Sequence, residues 1–148
     1  MPSLPLSVDH ATDVAAPPED VWAVLADPST RPSWMTELVE VDAAPGQVAV
    51  GDRFNGRSSI LFHDFIGASE VTEAEPGRHL VEEVVIGARF VSRWGVRSTE
   101  AGARVHHTID VEFPAGPFSP LERWVLRRRL LRMQRQSLAN LARRFSAS

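Results

Sequence analysis

The sequence predicts an α+β fold: one strand, two short helices, six further strands and a long C-terminal helix. Three observations predict it. From about Glu37 to Phe113, apolar and polar residues alternate with a period of two, interrupted by Pro-Gly and Gly turn signals. At "AAPPEDVWAVLADP" that period gives way to helical spacing. Near the C-terminus "SPLE" reads as a capping box, followed by leucines and arginines that separate onto opposite helix faces.

The first strand is Leu6 to Val14, with Val8, His10, Thr12 and Val14 on one face. Pro17 and Pro18 suit a helix start, Glu19 and Asp20 sit in its first turn, and Asp27-Pro28 ends it. "STRPSW" forms a second, very short helix with Trp34 near its end. The meander then reads as "ELVEVDA", "GDRFNGR", a long strand "SSILFHDFIGASEVTEA", "RHLVEEVVI", "ARFVSRWGVRS" and "RVHHTIDVEF". Their short connections imply antiparallel neighbours. Ser119 caps the terminal helix, Glu122 reaches back to it, and the helix runs to about Phe145. Leu130, Leu131, Leu138, Leu141 and Phe145 form its apolar side; Arg128, Arg132, Arg135 and Arg143 form the other. Phe118, Leu121, Trp124 and Val125 point elsewhere, so a bend or a change of packing partner is expected near Arg127 to Arg129. Arg127 and Gln134 fall on the apolar side, which suits a helix covering a partly hydrated cavity better than a dry core. Arg127 could also snorkel to the helix edge.

With 148 residues and no linker or repeat, one domain spanning 1–148 is expected. The absence of cysteine excludes disulfides, thiol catalysis and Cys-ligated zinc. The start, "MPSLPLSVDH", lacks the features of a secretory signal, and no stretch nears the roughly 20 apolar residues of a membrane span, so a cytoplasmic location is expected. Residues 117–148 carry 8 basic and 1 acidic side chains, all the basic ones arginine. The basic tail could touch nucleic acid or a membrane surface; helical periodicity favours a solvated face instead, and no nucleic-acid partner is expected. Motifs for a phosphate loop, a dinucleotide fold, a serine nucleophile elbow or a zinc finger are missing from the sequence.

Strand, two short helices, six-strand meander and terminal helix together make the helix-grip arrangement. "DVAAPPEDVWAVLADPSTRPSWMTELVEVD", "VAVGDRF", "SEVTEAEPGRHL" and "LANLARRF" carry a resemblance over nearly the whole chain. On them the sequence resembles the START-like superfamily, which includes polyketide cyclase/dehydrase and lipid-transport members. The resemblance implies a curved seven-stranded antiparallel sheet wrapped around the terminal helix, with a ligand cavity between them. It also implies that the first strand pairs with the last, which would make His10 and His107 neighbours facing the cavity. Function is less specified, because this fold hosts cyclases, lyases, carriers, plant ligand-binding proteins and co-chaperones.

On "RVHHTIDVEF", His107 joins the apolar row and His106 the charged one. An imidazole with a pKa of about 6.5 suits the proton transfers of a cyclase; a packed core histidine is the alternative. His63 in "LFHDF" is a second acid/base candidate, although both rows of that strand are apolar and its facing is ambiguous. That ambiguity leaves a monomer or a homodimer open. Histidines 10, 63 and 107 would have to converge to bind a metal, and without a close-spaced ligand pair no metal is expected. Arg57 is a candidate for stabilising an enolate oxygen, and Arg53 for clamping a carboxylate. Either could instead face solvent. One of Glu82 and Glu83 should face inward, where an apolar cavity would raise its pKa. Trp34, Phe90 and Trp94 supply aromatic walls or core, and Phe90, Ser92, Trp94 and Val96 share a face. Without tyrosine, histidine, arginine and serine must take the polar roles. The reading is a cofactor-independent cyclase/dehydratase acting on a hydrophobic small molecule in biosynthesis, with His107, His63 and Arg57 catalytic. His10, Trp34, Arg53, Glu82, Phe90, Trp94, Arg127 and Gln134 are the candidate ligand-binding residues. A non-catalytic carrier and a protein-interaction module are the alternatives.

Overall fold

A computed structural model describes residues 6–60, 63–112 and 120–146. Strand β1 (Leu6–Val14) leads into helix α1 (Pro18–Leu25) and a short 3-10 helix (Pro28–Ser33). Strands β2 (Leu38–Val41), β3 (Arg53–Ile60), β4 (His63–Glu75), β5 (His79–Ile86), β6 (Ala88–Thr99) and β7 (Gly102–Glu112) follow, then helix α2 (Pro120–Ser146). The seven strands form one antiparallel sheet in the order β1-β7-β6-β5-β4-β3-β2. This is the curved seven-stranded sheet with a C-terminal helix expected of a helix-grip fold.

The one misplaced boundary lies between β3 and β4. Ile60 pairs with His63, so the chain reverses there, and Ser58 to Ile60 belong to β3 rather than to one long strand through Glu75. No glycine, proline or asparagine marks this reversal. The facing of Leu61 and Phe62, and the roles of Phe113, Phe118 and Ser119, lie outside the described residues.

Two apolar clusters hold the fold. The larger joins α1, the 3-10 helix, the sheet and the C-terminal half of α2 through Trp22, Leu25, Trp34, Leu80, Leu138 and Leu141. The smaller joins the ends of β1 and β7 to α2 through Leu6, Val8, Ile109, Val111 and Leu130. Helix α2 is continuous: Leu126 and Leu130 turn toward the sheet, whereas Leu121, Trp124 and Val125, for which a bend or a separate packing partner was expected, are exposed. On the outer face of the sheet, arginines pair with carboxylates across strands, as in Arg104 with Asp13 at 3.0 Å and Arg93 with Asp110. Such exposed pairs each contribute at most about 1 kcal/mol.

Gly102, at the start of β7, has φ of +146°, and a Cβ there would lie 2.4 Å from the Val14 carbonyl oxygen. The close approach of β1's end to β7 therefore requires glycine. Gly102→Ala is expected to destabilise the fold by about 3 kcal/mol, read as a lower urea midpoint.

Candidate functional site

A cavity of about 240 Å³ lies between the concave face of the sheet and α2. Period-two alternation builds its wall: Phe54, Gly56 and Ser58 come from β3, Glu82, Val84 and Ile86 from β5. Strand β6 adds Phe90, Ser92 and Trp94, and β7 adds His107 and Ile109. Helix α2 covers them with Leu126, Arg129, Leu130 and Met133. Arg129 forms an ion pair with Glu37 at 2.6 Å. Glu37 has a left-handed φ of 72°, a conformation non-glycine residues rarely adopt.

His107 is the hub of the wall and is 3% exposed. Its ring stacks on Trp94 with centroids 3.6 Å apart and planes 13° apart, and Trp34 meets Trp94 edge-on at 5.7 Å. Gln134 Nε2 donates to the His107 carbonyl oxygen at 2.9 Å, which identifies that atom as the amide nitrogen. The same group lies 3.2 Å from His107 Nδ1, so Nδ1 accepts. The proton of the neutral ring therefore sits on Nε2, which donates to Ser92 Oγ at 2.7 Å. Ser92 is left with its own hydroxyl hydrogen to give, and Ser92 lines the cavity. Burial, helped by the nearby positive charge of Arg31, pushes the His107 pKa down to about 3.

Arg31 supplies a second polar feature. Its guanidinium binds Glu82 in a two-pronged ion pair, at 2.6 and 2.8 Å, with both side chains buried. It also donates to the Leu25 carbonyl at 3.2 Å, which ties α1 to the cavity wall. Glu82 is thus the inward carboxylate of its pair, while Glu83 bonds Arg89 on the outer face. It is not the lone carboxylate in an apolar pocket that was expected.

Of the residues singled out in the sequence, His107, Glu82, Phe90 and Trp94 line the cavity. Gln134 stands behind His107, and Trp34 behind Trp94. His10 pairs directly with His107 in the β1–β7 register, but it is half-exposed and outside the cavity wall. Partial burial and then the charge of Arg135 lower its pKa. The expected cavity-facing place of His10 is thus corrected, and four further expectations with it. His63 is exposed where β4 begins, because the reversal after Ile60 carries it beyond the cavity. Arg53 and Arg57 face outward, since buried Phe54 fixes the parity of β3; they bind Glu70, and Glu40 with Asp64. Arg127 is exposed at the helix edge and donates to the Ser7 carbonyl. With His63 distant, the three histidines do not converge, and no described cluster of His, Asp or Glu is placed to hold a metal. Arg31 was missed, because nothing in "STRPSW" signals a side chain that reaches β5. Ser92 was placed on the correct face without a role.

The family model described as "Polyketide cyclase / dehydrase and lipid transport" matches residues 5–146. Among solved structures, the aromatase/cyclase ZhuI from Streptomyces sp. R1128 superposes with a TM-score of 0.80 at 18% identity, covering 97% of this chain and 94% of that one. The di-domain ARO/CYC StfQ from the steffimycin biosynthetic pathway gives 0.79 at 14% identity, over 97% of this chain and 51% of that one. Ara h 8.0201 gives 0.66 at 6% identity, over 93% and 98%. At these identities the likeness is one of fold. No curated protein matches the chain by sequence.

Two outcomes follow from this geometry. Because folding lowers the His107 pKa from 6.5 to about 3, the unfolded chain takes up a proton that the folded protein refuses. That stability is complete above the unfolded pKa and is lost as pH falls toward 3. Thermal denaturation should show a loss of about 1.4 kcal/mol per pH unit between about pH 6 and about pH 4 from this group, and His107→Gln should flatten the slope. Glu82→Leu should cost about 3 to 5 kcal/mol by stranding buried Arg31. Arg31→Met added to it should restore much of that loss in chemical denaturation.

Proposed function

We propose the function from one premise: the chain belongs to the polyketide cyclase/dehydrase and lipid-transport family. The protein takes a compact, hydrophobic, carbonyl-bearing small molecule under helix α2 and closes it into a ring with loss of water. One observation carries this reading: the chain Gln134–His107–Ser92 ends in a hydroxyl hydrogen that finds no acceptor among the described residues, in an aromatic-walled cavity. A substrate carbonyl oxygen is the acceptor it suits. The cavity volume, about 240 Å³, falls just below the range of about 300–1,000 Å³ usual for small-molecule pockets. That favours a short carbonyl compound over a two-chain lipid.

In this mechanism Ser92, polarised by His107, donates to a ketone oxygen. The bound ligand draws one Glu82 carboxylate oxygen out of its pair with Arg31; that oxygen takes a proton from the adjacent carbon, and the electron pair moves onto the ketone oxygen as an enolate. The enolate carbon attacks a second carbonyl of the same molecule, a C–C bond forms, and the new alkoxide recovers the proton. Glu82 then takes a further carbon-bound proton and passes it to the departing hydroxyl group, which leaves as water. His107 is a positioning residue here. A base is most effective with a pKa near the operating pH, and a histidine pushed down to about 3 is better suited to orient Ser92 as a neutral ring.

That same neutrality favours a second reading, a carrier that binds the ligand unchanged. A short synthetic oligo-β-ketone thioester separates the two. Recovery of a product lighter by one water, in mass spectrometry, is the outcome expected of the cyclase. Saturable quenching of tryptophan emission with the probe recovered intact would establish the carrier instead. For the cyclase, Ser92→Ala should lower kcat by about 100-fold and leave binding of the probe largely intact.

A further inference from the structure

The outward face of α2 carries a pattern that the cavity does not use. Leu121, Trp124 and Val125 are 68%, 54% and 52% exposed. Their helical spacing continues into Arg128, Arg132 and Arg135 on the same face. The guanidinium of Arg128 lies 5.0 Å above the Trp124 ring. A shallow surface groove runs along Arg128, Arg132, Arg135 and Ala139.

Most arginines of the sheet and its turns behave differently. Arg53, Arg57, Arg78, Arg89, Arg93 and Arg104 each form an ion pair with a carboxylate, and Arg97 is the exception among the described residues of the strands. Among the described residues, Arg128, Arg132 and Arg135 form none. One helix face thus presents an exposed apolar end beside an uncompensated cationic stripe.

We propose that this face docks the protein on an anionic phospholipid surface. Leu121, Trp124 and Val125 enter the interfacial region, and the three arginines engage lipid phosphates. Charge complementarity requires an anionic partner. The convex form of a single helix offers no deep groove for a protein's side chains, whereas it suits a fluid, deformable surface. Leu126, next in sequence to Val125, lines the cavity, so docking would bring the ligand site close to the bilayer. The inference does not depend on the reaction in the cavity.

Sedimentation of the full chain with vesicles tests it. Binding is expected to vesicles of phosphatidylcholine and phosphatidylglycerol in equal amounts, and not to phosphatidylcholine alone. It should weaken with added salt and shift tryptophan emission to the blue, with much of that shift absent in Trp124→Phe. Arg128→Gln/Arg132→Gln/Arg135→Gln should weaken binding by about 100-fold. Leu121→Asp/Val125→Asp should abolish it, with circular dichroism showing both variants folded. Failure of the wild type to bind the anionic vesicles at low salt would overturn the proposal. So would equal binding to neutral vesicles, undiminished binding of a folded variant, or an acidic protein or a second copy taking this face without vesicle binding.

Discussion

The amide of Gln134 connects the helix to the sheet at the point where the interior changes character. From one nitrogen it reaches the His107 carbonyl, the His107 ring and, at 3.5 Å, the Val8 carbonyl. A buried amide is costly unless it is bonded, so this position on α2 is held in register with β7 and β1. On the C-terminal side of it, Leu138 and Leu141 are fully buried in a dry core with Trp34 and Leu80. On the N-terminal side, Leu126, Leu130 and Met133 cover the cavity. The same contact selects the tautomer of His107 and thereby decides that Ser92 is a donor. Helix placement and the chemistry of the wall thus rest on one side chain.

The ion pair of Arg31 and Glu82 adjoins this network in the same sheet wall, because Glu82 on β5 pairs with Ser92 on β6. Two charges removed from water are costly, and their two-pronged geometry offsets that cost. An apolar pair of similar size would serve stability as well or better, so stability alone does not account for it. The positive charge of Arg31 adds to burial in keeping His107 neutral. The two features are therefore coupled: the ion pair maintains a polar wall while the histidine beside it stays uncharged. Fixed dipoles and an ion pair, rather than a titrating imidazole, define how the cavity meets a ligand.

Much of the architecture was legible because long strands and an amphipathic helix leave strong periodic signals. Alternation in "RVHHTIDVEF" separated His107 from His106, and the register of β1 with β7 brought His10 opposite His107. The same period placed Phe90, Ser92 and Trp94 on one face. Helical spacing marked Gln134 as a polar group on an apolar side. The parity of β3 was also available: Phe54 is the large apolar residue of "GDRFNGR", and its burial turns Arg53 and Arg57 outward. The reversal after Ile60 was not legible, because its residues favour strands and carry no turn chemistry. That concealed reversal also misplaced His63. Arg31 was invisible for a different reason. Its partner lies 51 residues away, and long-range pairing of charges leaves no local pattern.

The two ends of α2 show how one helix can serve two surfaces. Toward the sheet, Leu130, Gln134, Ser137, Leu138 and Leu141 are buried. Toward solvent, the same helix runs from Leu121, Trp124 and Val125 into Arg128, Arg132 and Arg135, which form no ion pair among the described residues. A helix needed only to close the core would be expected to carry polar residues at its exposed first turns, where apolar side chains gain nothing from folding. Their exposure beside the cavity-lining Leu126 leaves apolar area that folding does not bury. An apolar boundary would bury it, and the neighbouring arginines suit a boundary that is negatively charged.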